Sequence, residues 1–163
     1  MNAKRVARCA VLAACAILLG WVERLVPFSS VIPGVKPGLA NGAVLLTLYS
    51  GKDGEAESFF VMLIKVIVTG LLFSGVTGFL YSMTGSMLSW LLMILLKRTK
   101  IFSIYGISVA GAAAHVSGQM LCAMWLLSAG GLLWYWAVLL FFAVPSGLLV
   151  AFLCARIYQR IIS

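Results

Sequence analysis

The chain has 163 residues, 63% of them hydrophobic and only 10% charged, with a net charge of +8. A soluble domain carries roughly a quarter charged residues, and each bilayer crossing takes about 20 apolar ones, so a chain of this length holds at most six or seven spans and leaves no room for a separate soluble domain. The expectation is one transmembrane domain over residues 1–163, all-α, in which the positive charge sits at the ends of hydrophobic segments and offers no continuous surface for nucleic acid.

The first apolar segment runs from about Ala7 to Val26 and ends at Pro27. Within it, "LAAC" at Leu12 to Cys15 matches a lipoprotein cleavage pattern, but only Cys9, Ala10 and Val11 separate Arg8 from it. A signal peptide needs an apolar stretch of about 7–15 residues before the cleavage site, so an uncleaved helix is the better reading. "VIPGVKPGLANG", Val31 to Gly42, then interrupts the hydrophobic text. Pro33, Gly34, Pro37 and Gly38 forbid a continuous helix there, and irregular backbone at membrane depth survives only where protein or a water-filled cavity covers it. This stretch reads either as a plain connection or as an inward-dipping loop that presents Lys36 to an anionic ligand or to Glu23.

A short second segment follows from about Gly38 to Ser50, with Asn41 near its start. The third covers about Ser58 to Tyr81, the fourth Met83 to Leu96, the fifth Ile104 to Ser128 and the sixth Leu132 to Ile157. With the N-terminus inside, Lys4, Arg5, Arg8, Lys52, Lys97, Arg98, Lys100, Arg156 and Arg160 fall inside and only Arg24 and Lys36 outside. That asymmetry predicts cytoplasmic termini. Small residues recur four apart at Ala10/Ala14, Ser74/Gly78, Ser82/Ser86 and Ala114/Gly118. In lipid such pairs bring helices into close contact, and Ala10 and Ala14 have the alternative of docking a partner.

The chemistry available is narrow. The acidic residues are Glu23, Asp53, Glu55 and Glu57, and the last three are expected to form a solvated cluster in an inner loop. No carboxylate lies at mid-span to relay ions or protons, and Gly51–Lys52 is followed by Asp53, so no phosphate-binding loop supplies an energy source. His115 is the lone histidine, which excludes a histidine metal cluster, and no carboxylate is spaced to build a triad on it. Cys9, Cys15, Cys122 and Cys154 lack metal or disulfide spacing and read as small hydrophobes. The chain is therefore expected to be neither an enzyme nor a metal or cofactor protein. Lys65, within the third span, either snorkels to the inner surface or stays in the bundle. His115 and Gln119 share a helix face at i and i+4, as an interior hydrogen-bonded pair or as ligand contacts.

"VERLVP…IPGVKPGLAN", "SGVTGFLYSMTGSMLS" and "GISVAGAAAHVSGQM" resemble the Gx transporter family of bacterial membrane proteins, also labelled heptaprenyl diphosphate synthase component I. That family is similar to the substrate-binding S components of energy-coupling-factor vitamin transporters. The resemblance implies a six-helix protein of the bacterial cytoplasmic membrane that captures a small molecule from outside, with the loop after the first helix closing the pocket. It further implies that Ala10 and Ala14, as an AxxxA pair, dock a transmembrane coupling subunit carrying two ATPases. Two positions depart from the pattern: Pro37 stands where a leucine-like residue is expected, and Val116 where an asparagine is. The enzyme label conflicts with the chemistry, since prenyl diphosphate synthases hold magnesium through DDxxD motifs and Asp53 is the lone aspartate here. The sequence is thus read as an S-component-like binding subunit, with Glu23, Lys36, Asn41, His115 and Gln119 contacting a small nutrient or cofactor precursor. A non-catalytic accessory subunit of isoprenoid or quinone metabolism is the alternative, and a membrane anchor for a redox partner a third.

Overall fold

A computed structural model describes residues 3–25, 38–51, 53–128 and 130–162. Lys36, Pro33 and Pro37, singled out in the sequence, lie outside the described residues. Six α-helices carry the fold: α1 Ala3–Leu25, α2 Leu39–Tyr49, α3 Gly54–Phe73, α4 Gly75–Thr99, α5 Ile104–Leu127 and α6 Leu133–Ile162, the last entered through a 3-10 turn at Gly130–Leu132. Five are long and apolar enough to cross a membrane. The exception is α2, whose 11 residues extend only about 16 Å, half a hydrocarbon core.

That short helix is the best buried of the six. Val44, Leu45 and Leu48 are almost wholly enclosed, and together with Val61, Met62 and Val66 of α3 and Ile107 of α5 they form the centre of the core. Around it, α1 packs on α2 and α3, α3 on α4, α4 on α5, α5 on α6, and α6 returns to α2 to close the bundle. A helix too short to span is thereby shielded from lipid by its longer neighbours. The outward faces of those neighbours carry Leu18, Leu71, Leu95 and Phe141, as a lipid-facing surface requires.

Where α4 and α5 cross, the backbones touch. A Cβ on Gly118 would lie 2.7 Å from the Thr84 carbonyl oxygen and 2.8 Å from the Gly85 Cα, so nothing larger than hydrogen fits. This is the close approach that small residues permit in a membrane. Ala10 and Ala14, by contrast, face away from the bundle on the exposed side of α1.

The structure corrects the boundary between the third and fourth segments. The break lies at Ser74–Gly75, not near Ser82. Ser74 caps α3 through its backbone N–H on the Gly70 carbonyl, and Gly75 adopts a left-handed φ of 63°, the usual way a helix stops. Hydropathy conceals this turn because apolar residues continue on both sides. The shift transfers Tyr81 and Ser82 to α4 and leaves Ser74 at the corner, where it packs directly against Gly78 rather than helping join two helices.

The acidic loop also differs from the expectation of a solvated cluster. At the end of the bundle that gathers most of the basic residues, Arg5 pairs with Asp53, Arg8 with Glu57, and Arg98 with Glu55 at 2.5 Å. Arg8 also donates to the Ser50 carbonyl at 3.1 Å, and Lys97 to that of Leu48 at 2.5 Å. Glu57 is only 3% exposed, because α1 folds over the start of α3. These bonds pin α1, α3 and α4 around the α2–α3 turn.

Candidate functional site

At mid-depth all six helices leave a cavity of about 130 Å³. Lys65, Ser86 and His115 each stand twelfth in α3, α4 and α5, which places them about 16 Å along helices that run in alternating directions. All three line the same cavity. It is therefore a polar chamber in the middle of an apolar bundle, where a polar group without function is costly.

Four of the residues expected to contact a ligand meet here: Glu23, Asn41, His115 and Gln119 all line the cavity. Glu23, near the end of α1, is 8% exposed, and its carboxylate accepts a hydrogen bond from the Leu39 N–H, the first residue of α2. An acid on one helix thus caps the start of another and fixes how the chain enters the chamber. Asn41, in the first turn of α2, turns its side-chain oxygen to the Lys65 ammonium at 2.6 Å. His115 sits beside Gly85, where a Cβ would come within 3.2 Å of its Cε1. His115 and Gln119 therefore share an inward face, with Gly85 making room for both.

Sequence reasoning left Lys65 between two fates and did not count it among the contacts. The structure shows that it does not snorkel: it is 7% exposed, deep along α3, and held by Asn41. Sequence reasoning also missed the serines. Ser82, Ser86 and Ser89 follow at i, i+4 and i+7 on α4 and line the chamber as a polar stripe, faced by Ser108 of α5 and Ser146 of α6. The signal was legible in "SMTGSMLS" as a helical period of hydroxyls, but the misplaced break put Ser82 outside the fourth helix. Ser108 donates to the Gly147 carbonyl at 2.7 Å and Thr69 to that of Lys65 at 2.8 Å, so both are occupied within the protein. The Ser86 hydroxyl, 3% exposed, has no hydrogen-bond partner among the described residues.

A second hollow of about 290 Å³ lies between α4, α5 and α6 at the end opposite the basic cluster, lined by Tyr81, Ala123, Leu127 and Tyr135 among others. It shares Ser82, Gln119 and Leu139 with the chamber. These three side chains form the partition between this second hollow, a vestibule, and the chamber. At the same end, Arg24 donates to the Phe73 carbonyl at 2.9 Å and to the Ser74 hydroxyl at 2.5 Å, tying α1 to the α3–α4 corner. No group of three or more potential metal ligands occurs among the described residues.

Fold and chamber together define an all-helical, multi-pass membrane protein built around an internal polar cavity. A family profile described as heptaprenyl diphosphate synthase component I matches residues 12–157, nearly the whole chain, and the protein belongs to that family. No curated protein and no solved structure matches it.

Proposed function

We propose that this chain is the solute-binding membrane subunit of an uptake system, S-component-like, that captures a small polar molecule and relies on a separate coupling module for energy. The observation that carries this reading is the mid-depth chamber lined by Glu23, Asn41, Lys65, Ser86, His115 and Gln119. Polar and ionisable side chains inside a membrane are rare and mark substrate paths. In this reading the end bearing Arg5, Arg8 and Arg98 faces the cytoplasm, by the positive-inside rule, and the vestibule faces outside. Ala10 and Ala14, exposed on α1 beside Val6, Val11 and Leu18, form the docking face for the coupling subunit.

The family description supports a second reading, a non-catalytic membrane component that assists a prenyl diphosphate synthase. The chamber fits it less well. A heptaprenyl tail needs a long apolar groove, whereas this space is small and receives polar side chains from all six helices, and Asp53, the lone aspartate, is held by Arg5.

Two assays separate the readings. Native mass spectrometry on protein in lipid nanodiscs should find a small polar molecule bound one to one, and reconstituted uptake should need both ATP and a coupling module. Prenyl product formed only when this chain joins a catalytic partner, with no small molecule retained, would overturn the transport reading in favour of the second.

A further inference from the structure

Resting on the solute-binding reading, we infer that the chamber takes an uncharged molecule the size of a single ring, its hydrogen-bonding edge read by Ser86 on α4 and its apolar face lying against α6. Ser86 lines the chamber, is more than nine-tenths buried, and its hydroxyl has no hydrogen-bond partner among the described residues. A hydroxyl on a helix can satisfy itself by bonding back to the carbonyl four residues earlier. Elsewhere in this bundle that bond is made, by Thr47 to Ala43, Thr69 to Lys65, Thr84 to Leu80 and Ser117 to Ala113. Ser86 forgoes it. Buried hydroxyls are nearly always satisfied, so one left over beside a cavity is placed for something that enters it. A hydroxyl both donates and accepts, which suits a carboxamide, an alcohol or a ring nitrogen.

The two walls differ in character. Helix α4 packs on α3 and α5, whereas α6 packs on α5 and α2, so α4 and α6 stand on different sides of the chamber. The α4 wall carries the hydroxyls of Ser82, Ser86 and Ser89, and the α6 wall carries Leu139, Phe142, Ala143 and Val150. A flat molecule with polar atoms along one edge satisfies both. Size agrees: a cavity of roughly 150 Å³ accommodates benzene, so about 130 Å³ suits a molecule of that order and not a nucleotide. Charge is excluded because the ionisable groups on the lining are already engaged. Glu23 accepts the Leu39 N–H, Lys65 is bonded to Asn41, each of these two makes a further interaction, and Arg24 reaches out to Phe73 and Ser74. A charged solute would have to break one of these contacts or remain unpaired in the bundle, and either is costly.

The test uses the full chain in nanodiscs of zwitterionic lipid, with empty nanodiscs as the blank, and a matched set of probes: benzamide, benzoate, benzylamine and toluene. Calorimetry should show benzamide bound at least tenfold more tightly than benzoate or benzylamine and several-fold more tightly than toluene. Filling the chamber with Ala143→Trp should abolish the benzamide signal. Ser86→Ala should weaken benzamide about fivefold, leave toluene unchanged and melt no lower than wild type, a combination that misfolding cannot produce. Benzoate or benzylamine bound as tightly as benzamide, and blocked by Ala143→Trp, overturns the uncharged assignment and leaves solute binding standing. Benzamide affinity unmoved by Ser86→Ala overturns the role of the serine. Where native mass spectrometry retains a molecule that the probes do not mimic, its charge and its response to Ser86→Ala decide in the same way. Failure of all the probes at millimolar concentration, with no molecule retained, overturns this inference and the solute-binding reading together.

Discussion

The contact between Lys65 and Asn41 makes a quantitative prediction about how a charge is held inside this bundle. The ammonium lies 2.6 Å from the Asn41 oxygen and is 7% exposed. A hydrogen bond to a charged group is worth about 1.5–3 kcal/mol, and its loss in a buried site leaves the charge under-solvated, so Asn41→Ala should destabilise the protein by about 2–3 kcal/mol. Lys65→Met forfeits the same bond but also removes a charge whose placement at a helix centre costs about 2.5–3.5 kcal/mol. In the Lys65→Met background Asn41 has no charge left to serve, and Asn41→Ala should then cost less than about 1 kcal/mol. The cycle therefore carries a coupling of about 2 kcal/mol. Reversible unfolding in mixed detergent–SDS micelles, followed by circular dichroism, measures all four proteins. A coupling below about 0.5 kcal/mol would mean that the lysine head lies at the membrane surface, and the description of the chamber would fail with it.

Other parts of the bundle give equally direct expectations. Gly118→Ala forces a methyl into the Thr84 and Gly85 backbone and should cost about 3 kcal/mol, the upper range for overpacking, whereas Gly131→Ala, with nothing within 4 Å, should change stability by less than about 0.5 kcal/mol. Among the arginines at the basic end, Arg8→Ala strands the buried Glu57 and should cost about 2–3 kcal/mol, the lower side of a broken buried pair because Arg8 is itself half exposed. Arg5→Ala leaves a half-exposed Asp53 and should cost no more than about 1 kcal/mol, as surface pairs do; the same unfolding assay ranks the two. Ala123→Trp fills the vestibule without touching the chamber, so stopped-flow measurement should show association and dissociation of the solute identified by native mass spectrometry slowed together at nearly constant affinity. A change in affinity at unchanged association rate would place the access route elsewhere.

Much of this molecule is legible in its sequence because lipid makes few demands and enforces them strictly. Long apolar runs must be helices, since no other open structure satisfies its backbone in hydrocarbon, and the runs ending at Leu25, Thr99 and Leu127 were found to within a few residues. Polar residues inside such runs are conspicuous for the same reason, which is why Glu23, Asn41, His115 and Gln119 stood out before any coordinates placed them around one cavity. Tertiary structure alone decided the rest. Hydropathy is blind to a turn within an apolar stretch, so only the backbone, with Gly75 at positive φ, revealed that α3 stops at Ser74. A lysine on a membrane helix reaches either the surface or the interior at similar cost, and the outcome for Lys65 hung on whether a neighbouring helix offered an acceptor, as Asn41 does. Serines are too common in such helices to be informative singly, and it took the closure of six helices around them to turn the α4 stripe into a wall. The sequence determines which side chains are costly to bury, while the packing of the short α2 among its longer neighbours decides where they meet.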